Sequence, residues 1–352
     1  MEGGGLSEEE EESFGHGEGE GEEEEEEGDE EEKPLSEEEE EEEKQVLVAC
    51  PLTEEMLKEG LSLLCKIGNG LAHAYVKFEA KYKDLTDISL LECFIHLRYV
   101  DLSENKLQDL SPLSSLTHLL WLKVDGNLLS SAHMQELPYL QFISFAHNHI
   151  KNMEGITHPH LTSLSLKGGT DYSLHYCAYR KLSLSGINSH YFFVLWHSGN
   201  KIPTALGLSQ ALYSLRTLEL RGNKLESTAG LYLPKLKNLY LAQNAIRSLE
   251  GLEALEQLST LHLRDNELET LDGFSSSMKC LQYLNLRNNG ISSLQEVAKL
   301  QVLPMLQALV LMENPCSDEA NYQQEVLVQL PHLKRLDKEP EMEVSLQSDV
   351  TE

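Results

Sequence analysis

The sequence predicts an α/β solenoid with a parallel β-sheet on its concave face and short helical or 3₁₀ returns. An apolar frame, first seen as Leu97-x-x-Val100-x-Leu102-x-x-Asn105, recurs nine times up to Cys316. Most of its asparagines stand 21 to 23 residues apart. They are Asn105, Asn127, Asn148, Asn200, Asn223, Asn244, Asn266, Asn289 and Asn314. Units of this period stack on one another and share a continuous core.

This period and pattern are those of a leucine-rich repeat. We expect a short strand around the second leucine of each frame, and an asparagine side chain that turns inward to bond the backbone of neighbouring turns. The rest of each turn is only about ten residues long, which is too short for an ordinary α-helix and favours 3₁₀ turns.

Both ends of the repeat region, residues 97–316, need a cap that covers the core. Residues 45–96 predict an N-terminal capping helix, with Thr53 as its N-cap and an apolar stripe continuing to Leu64, followed by a degenerate repeat. Residues 317–338 predict a C-terminal cap with a helix from Asp318 to Leu330.

Charge is distributed unevenly along the chain. Residues 1–44 hold 25 of the 59 acidic residues and two bases, a net charge of −23, and the remainder carries −8. A Glu/Gly-rich segment with so few apolar residues predicts a disordered acidic tail, and residues 339–352 predict a second disordered tail. The acidic tail either keeps the protein soluble or binds a basic partner, and its charge disfavours nucleic acid.

Apolar runs and cysteine spacing indicate the cellular compartment. We expect no signal peptide and no membrane-spanning segment, because no apolar run reaches ~18 residues. The six cysteines lack the spacing of disulfide or metal motifs. The sequence therefore predicts a cytoplasmic protein with reduced thiols.

The fourth frame is interrupted. It loses its asparagine after Gly168, and joining Gly168 to Asn200 restores the pattern, so residues 169–199 are predicted to be an insertion. The segment is rich in aromatic residues, among them Tyr191, Phe192 and Trp196. It is either a binding loop or a stretch that entered through a splicing or gene-assignment accident.

Catalytic and cofactor motifs are not evident in the sequence. Two pairs, His147 with His149 and His158 with His160, could ligate a metal in principle, but no acidic or cysteine partner follows at ligand spacing. We find neither a phosphate-binding glycine loop nor a nucleophile–base motif. The sequence predicts a protein that is not an enzyme, has no cofactor, and binds no nucleic acid, membrane or small-molecule substrate.

The frame also predicts which side chains face the concave surface, because side chains alternate along a strand. Aromatic residues cluster in the first three frames, and basic residues form a column further on. The candidate partner-binding residues are Tyr99, Trp121, Phe142, Lys167, Arg221, Tyr240, Arg264, Tyr283 and Arg287. Such residues are common in protein–protein hot spots. Alternatively, the basic residues pair with Glu219 and Asp265 as an ordinary solvated surface.

Several segments carry a resemblance to a known family. The 22-residue period and the ending from Asn314-Pro315 to Leu336-Asp337 resemble the SDS22-like class of leucine-rich repeats. The runs at residues 52–66 and 233–244 are similar to leucine-rich-repeat proteins of axonemal radial spokes. This resemblance implies a structural component of motile cilia and sperm flagella that binds radial-spoke head or stalk proteins. Residues 169–199 have no counterpart there, and the family continues into a longer charged C-terminal tail.

The sequence therefore predicts a scaffold in the axoneme of cilia or flagella. The SDS22-like pattern leaves a second interpretation open, a regulatory subunit of a protein phosphatase. A third, an acidic histone-type chaperone, fits less well because such proteins carry the acidic run after the repeats.

Overall fold

A computed structural model describes residues 48–68, 70–169, 200–208 and 212–338. Their strands form one sheet of twelve, ordered as they occur along the chain. The two predicted tails and the insertion, apart from Gly169, lie outside the described residues. The fold class is confirmed: an α/β solenoid with a parallel sheet and 3₁₀ returns.

The N-terminal cap contains a helix and a hairpin. Helix α1 is Glu54–Gly60, and the Thr53 hydroxyl accepts a hydrogen bond from the Met56 N–H at 3.3 Å. Strand β1, Leu61–Ile67, pairs antiparallel with β2, Ala72–Glu79.

The predicted continuation of the helical stripe to Leu64 is therefore wrong. Gly60 ends the helix against β2, where an added Cβ would lie 2.5 Å from the Glu79 carbonyl oxygen. The chain after Gly60 forms β1 instead. By pairing with β2, the first strand of the parallel stack, β1 satisfies backbone groups that β2 would otherwise expose at the sheet edge. The apolar spacing of residues 56–64 does not show that this segment lies beside an open sheet edge, where a strand is favoured over a helix.

From β2 onward, all strands pair in parallel, and nearly all contain three residues. They are β3 Tyr99–Asp101, β4 Trp121–Lys123, β5 Phe142–Ser144, β6 Ser163–Ser165, β7 Thr217–Glu219, β8 Asn238–Tyr240, β9 Thr260–His262, β10 Tyr283–Asn285, β11 Ala308–Val310 and β12 Arg335–Leu336. The middle residue of each strand from β3 to β11 is fully buried. The first and third residues therefore lie on the opposite, concave face.

The returns confirm the expectation of short 3₁₀ turns. These turns are Ser89–Cys93, Ser111–Ser115, Leu252–Ala254, Val297–Val302 and Pro315–Asp318. Leucines from the strands and the returns meet in one cluster that runs from the N-terminal cap to the C-terminal cap. Burial of this cluster is the main stabilising contribution, since each fully buried leucine contributes about 1.5–3 kcal/mol.

The frame asparagines form a ladder through the interior, as predicted. The Asn148 carbonyl oxygen accepts a hydrogen bond from the Leu129 N–H at 3.1 Å, and its amide donates to the carbonyls of Val124 and Phe145 at 3.0 Å each. Each such side chain thus connects its own turn to the preceding one. A final side chain, Asp337, accepts from the Leu311 N–H at 2.8 Å and completes the ladder.

The sheet is continuous across the interrupted fourth turn. Strand β6 pairs directly with β7. Asn200 takes the ladder position that the frame assigns to it: it accepts from the Ile150 N–H at 3.0 Å and donates to Leu166 and Phe145. Gly168 lies beside it, with the Asn200 carbonyl oxygen 2.6 Å from where a Cβ would stand.

Replacing Gly168 by alanine is expected to destabilise the protein by about 1–3 kcal/mol, a cost typical of overpacking against atoms that cannot move aside. The added Cβ would lie 2.0 Å from the Gly222 carbonyl oxygen, a backbone atom of the next turn. The control is Gly290→Ala, where the nearest atom is 3.3 Å away, on the Glu269 side chain. Urea denaturation measures both, and equal midpoints for the two variants would refute the expectation.

The helix of the C-terminal cap is shorter than predicted. The region from Asp318 to Leu330 contains an extended residue, Glu319, between the last 3₁₀ turn and helix α2, Tyr322–Gln329. Within the cap, Tyr322, Val326 and Leu330 are buried against the core on one face, as their spacing predicts. The Tyr322 hydroxyl donates to the Asp337 carboxylate at 2.8 Å, which joins the helix to the end of the ladder.

Candidate functional site

The concave face is a rigid surface with a fixed arrangement of side chains. Its backbone is held by hydrogen bonds between parallel strands, and adjacent strands lie ~4.8 Å apart. Equivalent residues of successive turns therefore form columns across the sheet. The predicted candidates belong to three such columns, at the first strand residue, the third strand residue and two positions after the strand.

The aromatic candidates at the N-terminal end are brought together. Tyr99, Trp121 and Phe142 pair in register on β3, β4 and β5. The rings of Trp121 and Phe142 stack with centroids 5.0 Å apart and planes at 9°. All three side chains are only partly buried. They present a continuous apolar surface, which a protein partner can cover without ordering it first.

A second row of rings lies on the C-terminal half of the face. Tyr240, His262 and Tyr283 follow one another with centroids 4.9 and 5.0 Å apart. Tyr283 is only 8% exposed, so it supports the row and offers little surface of its own. Burial raises the pKa of Tyr240, with a further contribution from the charge of Glu219.

His262 was missed by the sequence reasoning. It occupies the third strand residue, a column that the frame defines as clearly as the first. Burial, and then the nearby Arg221 charge, lower the pKa of His262 to about 4. Its imidazole is therefore neutral at physiological pH and takes part as a ring, not as a cation.

The predicted basic column exists, but its members have acidic neighbours. Arg264 Nε donates to Asp265 at 3.0 Å, and Arg221 lies 3.8 Å from Glu219. Arg287 forms an ion pair with Glu313. The alternative that these bases pair locally thus describes the structure better than a free cationic surface. Lys167 forms no ion pair with a residue that the structure describes.

The histidine pairs are not joined by further metal ligands among the residues that the structure describes. In the part of the chain that the structure describes, no group of three or more His, Cys, Asp and Glu side chains is arranged to hold a metal ion. His158 has a structural role: its Nδ1 accepts from the Leu137 N–H at 3.1 Å, and it is 1% exposed. No helix among the described residues is long and apolar enough to cross a membrane.

The buried His158 predicts a specific loss of stability in acid. Burial lowers its pKa to about 4 from an ordinary value of 6.5. Below pH 6.5 the unfolded chain binds a proton that the folded chain excludes, so stability falls with pH until the folded pKa is reached. At pH 5 the loss from this residue is about 1–2 kcal/mol.

Urea denaturation at pH 7.5 and pH 5 tests this effect with two glutamine variants. His158→Gln should show a smaller difference between the two pH values than the unmodified chain, since glutamine does not titrate in this range. The exposed neighbour His160→Gln should behave like the unmodified chain. If all three proteins lose the same stability, the buried imidazole is not the cause.

The parallel sheet, the leucine core and the asparagine ladder define a leucine-rich-repeat protein. The leucine-rich repeat family model LRR_9 matches residues 199–343. Among solved structures, the functional domain of InlJ from Listeria monocytogenes has a TM-score of 0.51 at 18% identity, covering 74% of this chain and 47% of that one. TLR13, in its complex with ssRNA13, gives 0.53 at 20% identity, covering 73% and 35%. At these identities the likeness concerns the fold alone.

The curated relatives are much closer in sequence. Leucine-rich repeat-containing protein 23 of Bos taurus is 56% identical over 293 residues, 83% of this chain and 77% of the relative. The Homo sapiens protein is 55% identical over 290 residues, covering 82% and 76%. The Xenopus tropicalis protein is 53% identical over 291 residues, covering 82% and 74%. The chain belongs to the leucine-rich repeat-containing protein 23 family. Repeat proteins of this kind are generally non-catalytic scaffolds that bind other proteins.

Proposed function

We propose that this protein is a non-catalytic scaffold of axonemal radial spokes, which binds spoke head or stalk proteins and supports the beating of cilia and sperm flagella. The observation that supports protein binding best is the aromatic surface of Tyr99, Trp121 and Phe142. It is partly exposed, and it lies near the N-terminal end of a sheet whose backbone is already ordered. The axonemal location is supported by the resemblance of residues 52–66 and 233–244 to radial-spoke proteins.

The proposed mechanism is recognition by a preorganised surface. Stacked rings lose little conformational entropy on binding, because their two side-chain torsions are already restricted by neighbouring turns. A partner would cover the stacked pair Trp121 and Phe142 and place polar groups against the ion pairs that surround it. Aromatic residues in such a position commonly contribute 2 kcal/mol or more when truncated.

Fractionation of motile ciliated cells tests the location. The cells carry the tagged full-length chain and are extracted first with detergent and then with moderate salt. A spoke component should remain with the demembranated axoneme in both steps. Complete release of the unmodified chain by detergent alone would contradict the proposal and favour the soluble phosphatase-regulator alternative.

The contribution of the aromatic surface is tested in the same assay. The double variant Trp121→Ala with Phe142→Ala should be released by salt. The matched control is Tyr232→Ala, an exposed aromatic ring outside the sheet, which should remain bound. If the double variant is folded by circular dichroism and still remains with the axoneme, another surface carries the contact.

A further inference from the structure

A strip of uncompensated positive charge follows the N-terminal edge of the strands. We define the edge strip by the first leucine of each of the nine frames, Leu97 to Leu306, and by Leu333 of the C-terminal cap. It comprises the residues one and two positions before, and one position after, each of these leucines. It contains six bases and one acid, Glu256. The bases are Arg98, Arg216, Lys235, Lys237, Lys279 and Lys334, and all of them are exposed. Residues 45–352 together carry a net charge of −8, so the strip departs in sign from its surroundings.

The bases of the edge strip differ from those of the concave face in their partners. On the concave face, Lys81 lies 2.7 Å from Asp101 and Lys123 lies 3.3 Å from Asp125, as the arginine column lies beside its own acids. None of the six edge bases forms an ion pair with a residue that the structure describes. Neighbouring carboxylates thus neutralise one face and leave the edge cationic.

The charge is concentrated where the edge strip forms a groove. A cavity of about 510 Å³ opens at the strand edge and is lined by Tyr139, Gln141, His160, Thr162, Arg216 and Lys235, among others. It is lined by no acidic residue. Lys237, two positions after Lys235 and on the other side of the buried Leu236, adds a third exposed cation next to the cavity lining.

Aromatic rings border this groove, and one of them contacts a groove lysine. The Lys235 ammonium lies 5.6 Å from the ring centroid of Tyr213, within cation–π range. Tyr139 is 54% exposed and Tyr213 47% exposed, which is more than core packing leaves to a tyrosine. The groove thus combines carboxylate-binding groups with an apolar rim.

We propose that this edge groove is a second docking site, which binds an acidic peptide segment of a partner protein through Arg216, Lys235 and Lys237. It deepens the proposed scaffold function, on which it rests, by naming the chemistry of one partner. The arginine guanidinium can bind a carboxylate with two hydrogen bonds, and the lysines bind further carboxylates as point charges. The tyrosine rim receives an apolar side chain of the same segment.

Charge complementarity favours a peptide over a nucleic acid. Only three edge bases cluster here, and the chain as a whole carries −31. Nucleic-acid-binding proteins commonly neutralise about 6–10 phosphates, which is more than the three bases at the groove provide. A short acidic peptide carries enough carboxylates to match these three cations.

The test measures binding of the full chain to a fluorescein-labelled octapeptide, Glu-Glu-Phe-Glu-Glu-Tyr-Glu-Glu, by fluorescence anisotropy. The groove variant is Arg216→Glu with Lys235→Glu. The matched control, Lys201→Glu with Lys224→Glu, makes the same change in net charge at two exposed bases that follow ladder asparagines, outside the strip. The groove variant should weaken binding by at least about tenfold, because two charge-assisted contacts become repulsive. The control should change it by less than about threefold, since charges beyond a Debye length are screened.

Each other outcome overturns the proposal. Equal loss in both double variants would show attraction without a site, and no binding to the unmodified chain would show no site at all. Tighter binding of a single-stranded DNA oligonucleotide than of the peptide, lost in the groove variant alone, would assign the groove to nucleic acid. Circular dichroism confirms that each variant is folded. Because the assay uses purified protein, its result is independent of whether the chain resides in the axoneme.

Discussion

Replacing Asn148 by alanine is expected to lower the free energy of unfolding by about 2 to 4 kcal/mol. It leaves one buried backbone N–H without a partner, which costs about 1–3 kcal/mol, and removes further hydrogen bonds worth about 0.5–1.5 kcal/mol each. The side chain is fully buried and bonds one N–H and three carbonyls of two adjacent turns at 3.0–3.2 Å. Alanine leaves the Leu129 N–H without its acceptor, whereas the Val124 and Phe145 carbonyls keep hydrogen bonds from Asn127 and Asn200.

The matched control for this variant is Asn238→Ala. That asparagine lies on the concave face, where its amide donates only to the Thr217 hydroxyl at 3.2 Å, and water can replace the bond. A change of less than about 1 kcal/mol is expected for such a surface position. Chemical denaturation followed by circular dichroism compares the two. Similar losses at both sites would mean that the ladder contributes little beyond local packing.

Deleting residues 169–199 is expected to stabilise the protein by about 2 to 3 kcal/mol, because closing a loop of roughly 30 residues costs (3/2)RT ln n. The structure indicates that the remaining ends can be joined. Gly168 and Asn200 are already neighbours in the fourth turn, and β6 and β7 pair across the interruption. The shortened chain keeps the frame and the ladder intact.

Thermal and urea denaturation of the full and shortened chains measure this difference. A higher melting temperature of the shortened chain is the expected result. Equal or lower stability would show that the segment contributes packing that the loop-closure argument omits. Retention of both chains with the axoneme would further indicate that the segment does not bind the partner, whereas loss on deletion would favour the binding-loop interpretation.

Much of the fold could be predicted from the sequence because burial in a repeat solenoid depends on local spacing. The frame places Leu122 and Leu239 in the core and Asn148 in the ladder by their position within a single turn. Even the interruption after Gly168 could be recognised, since the frame resumes in phase at Asn200. The asparagine bonds, the 3₁₀ returns and the buried face of the last helix follow from the same local rule.

The candidate site could be predicted only in part. Alternation along a three-residue strand is enough to place Trp121 and Phe142 side by side. It does not show that Arg264 and Arg287 lie beside carboxylates, or that Tyr283 is covered. Those properties depend on long side chains and on their neighbours in adjacent turns.

The sequence by itself determined the class of fold, the stacking of turns and the columns that lie on the concave face, because each follows from a residue's position within one repeat. Only the tertiary structure decided the hairpin of β1 and β2, the ring row of Tyr240, His262 and Tyr283, and the charge of the edge strip. These features depend on which residues of adjacent turns, about 22 positions apart, are in contact. They also depend on which bases form ion pairs with neighbouring carboxylates and which do not. Neutralisation is a property of neighbours in space, so the position of unbalanced charge appears only after the turns are stacked.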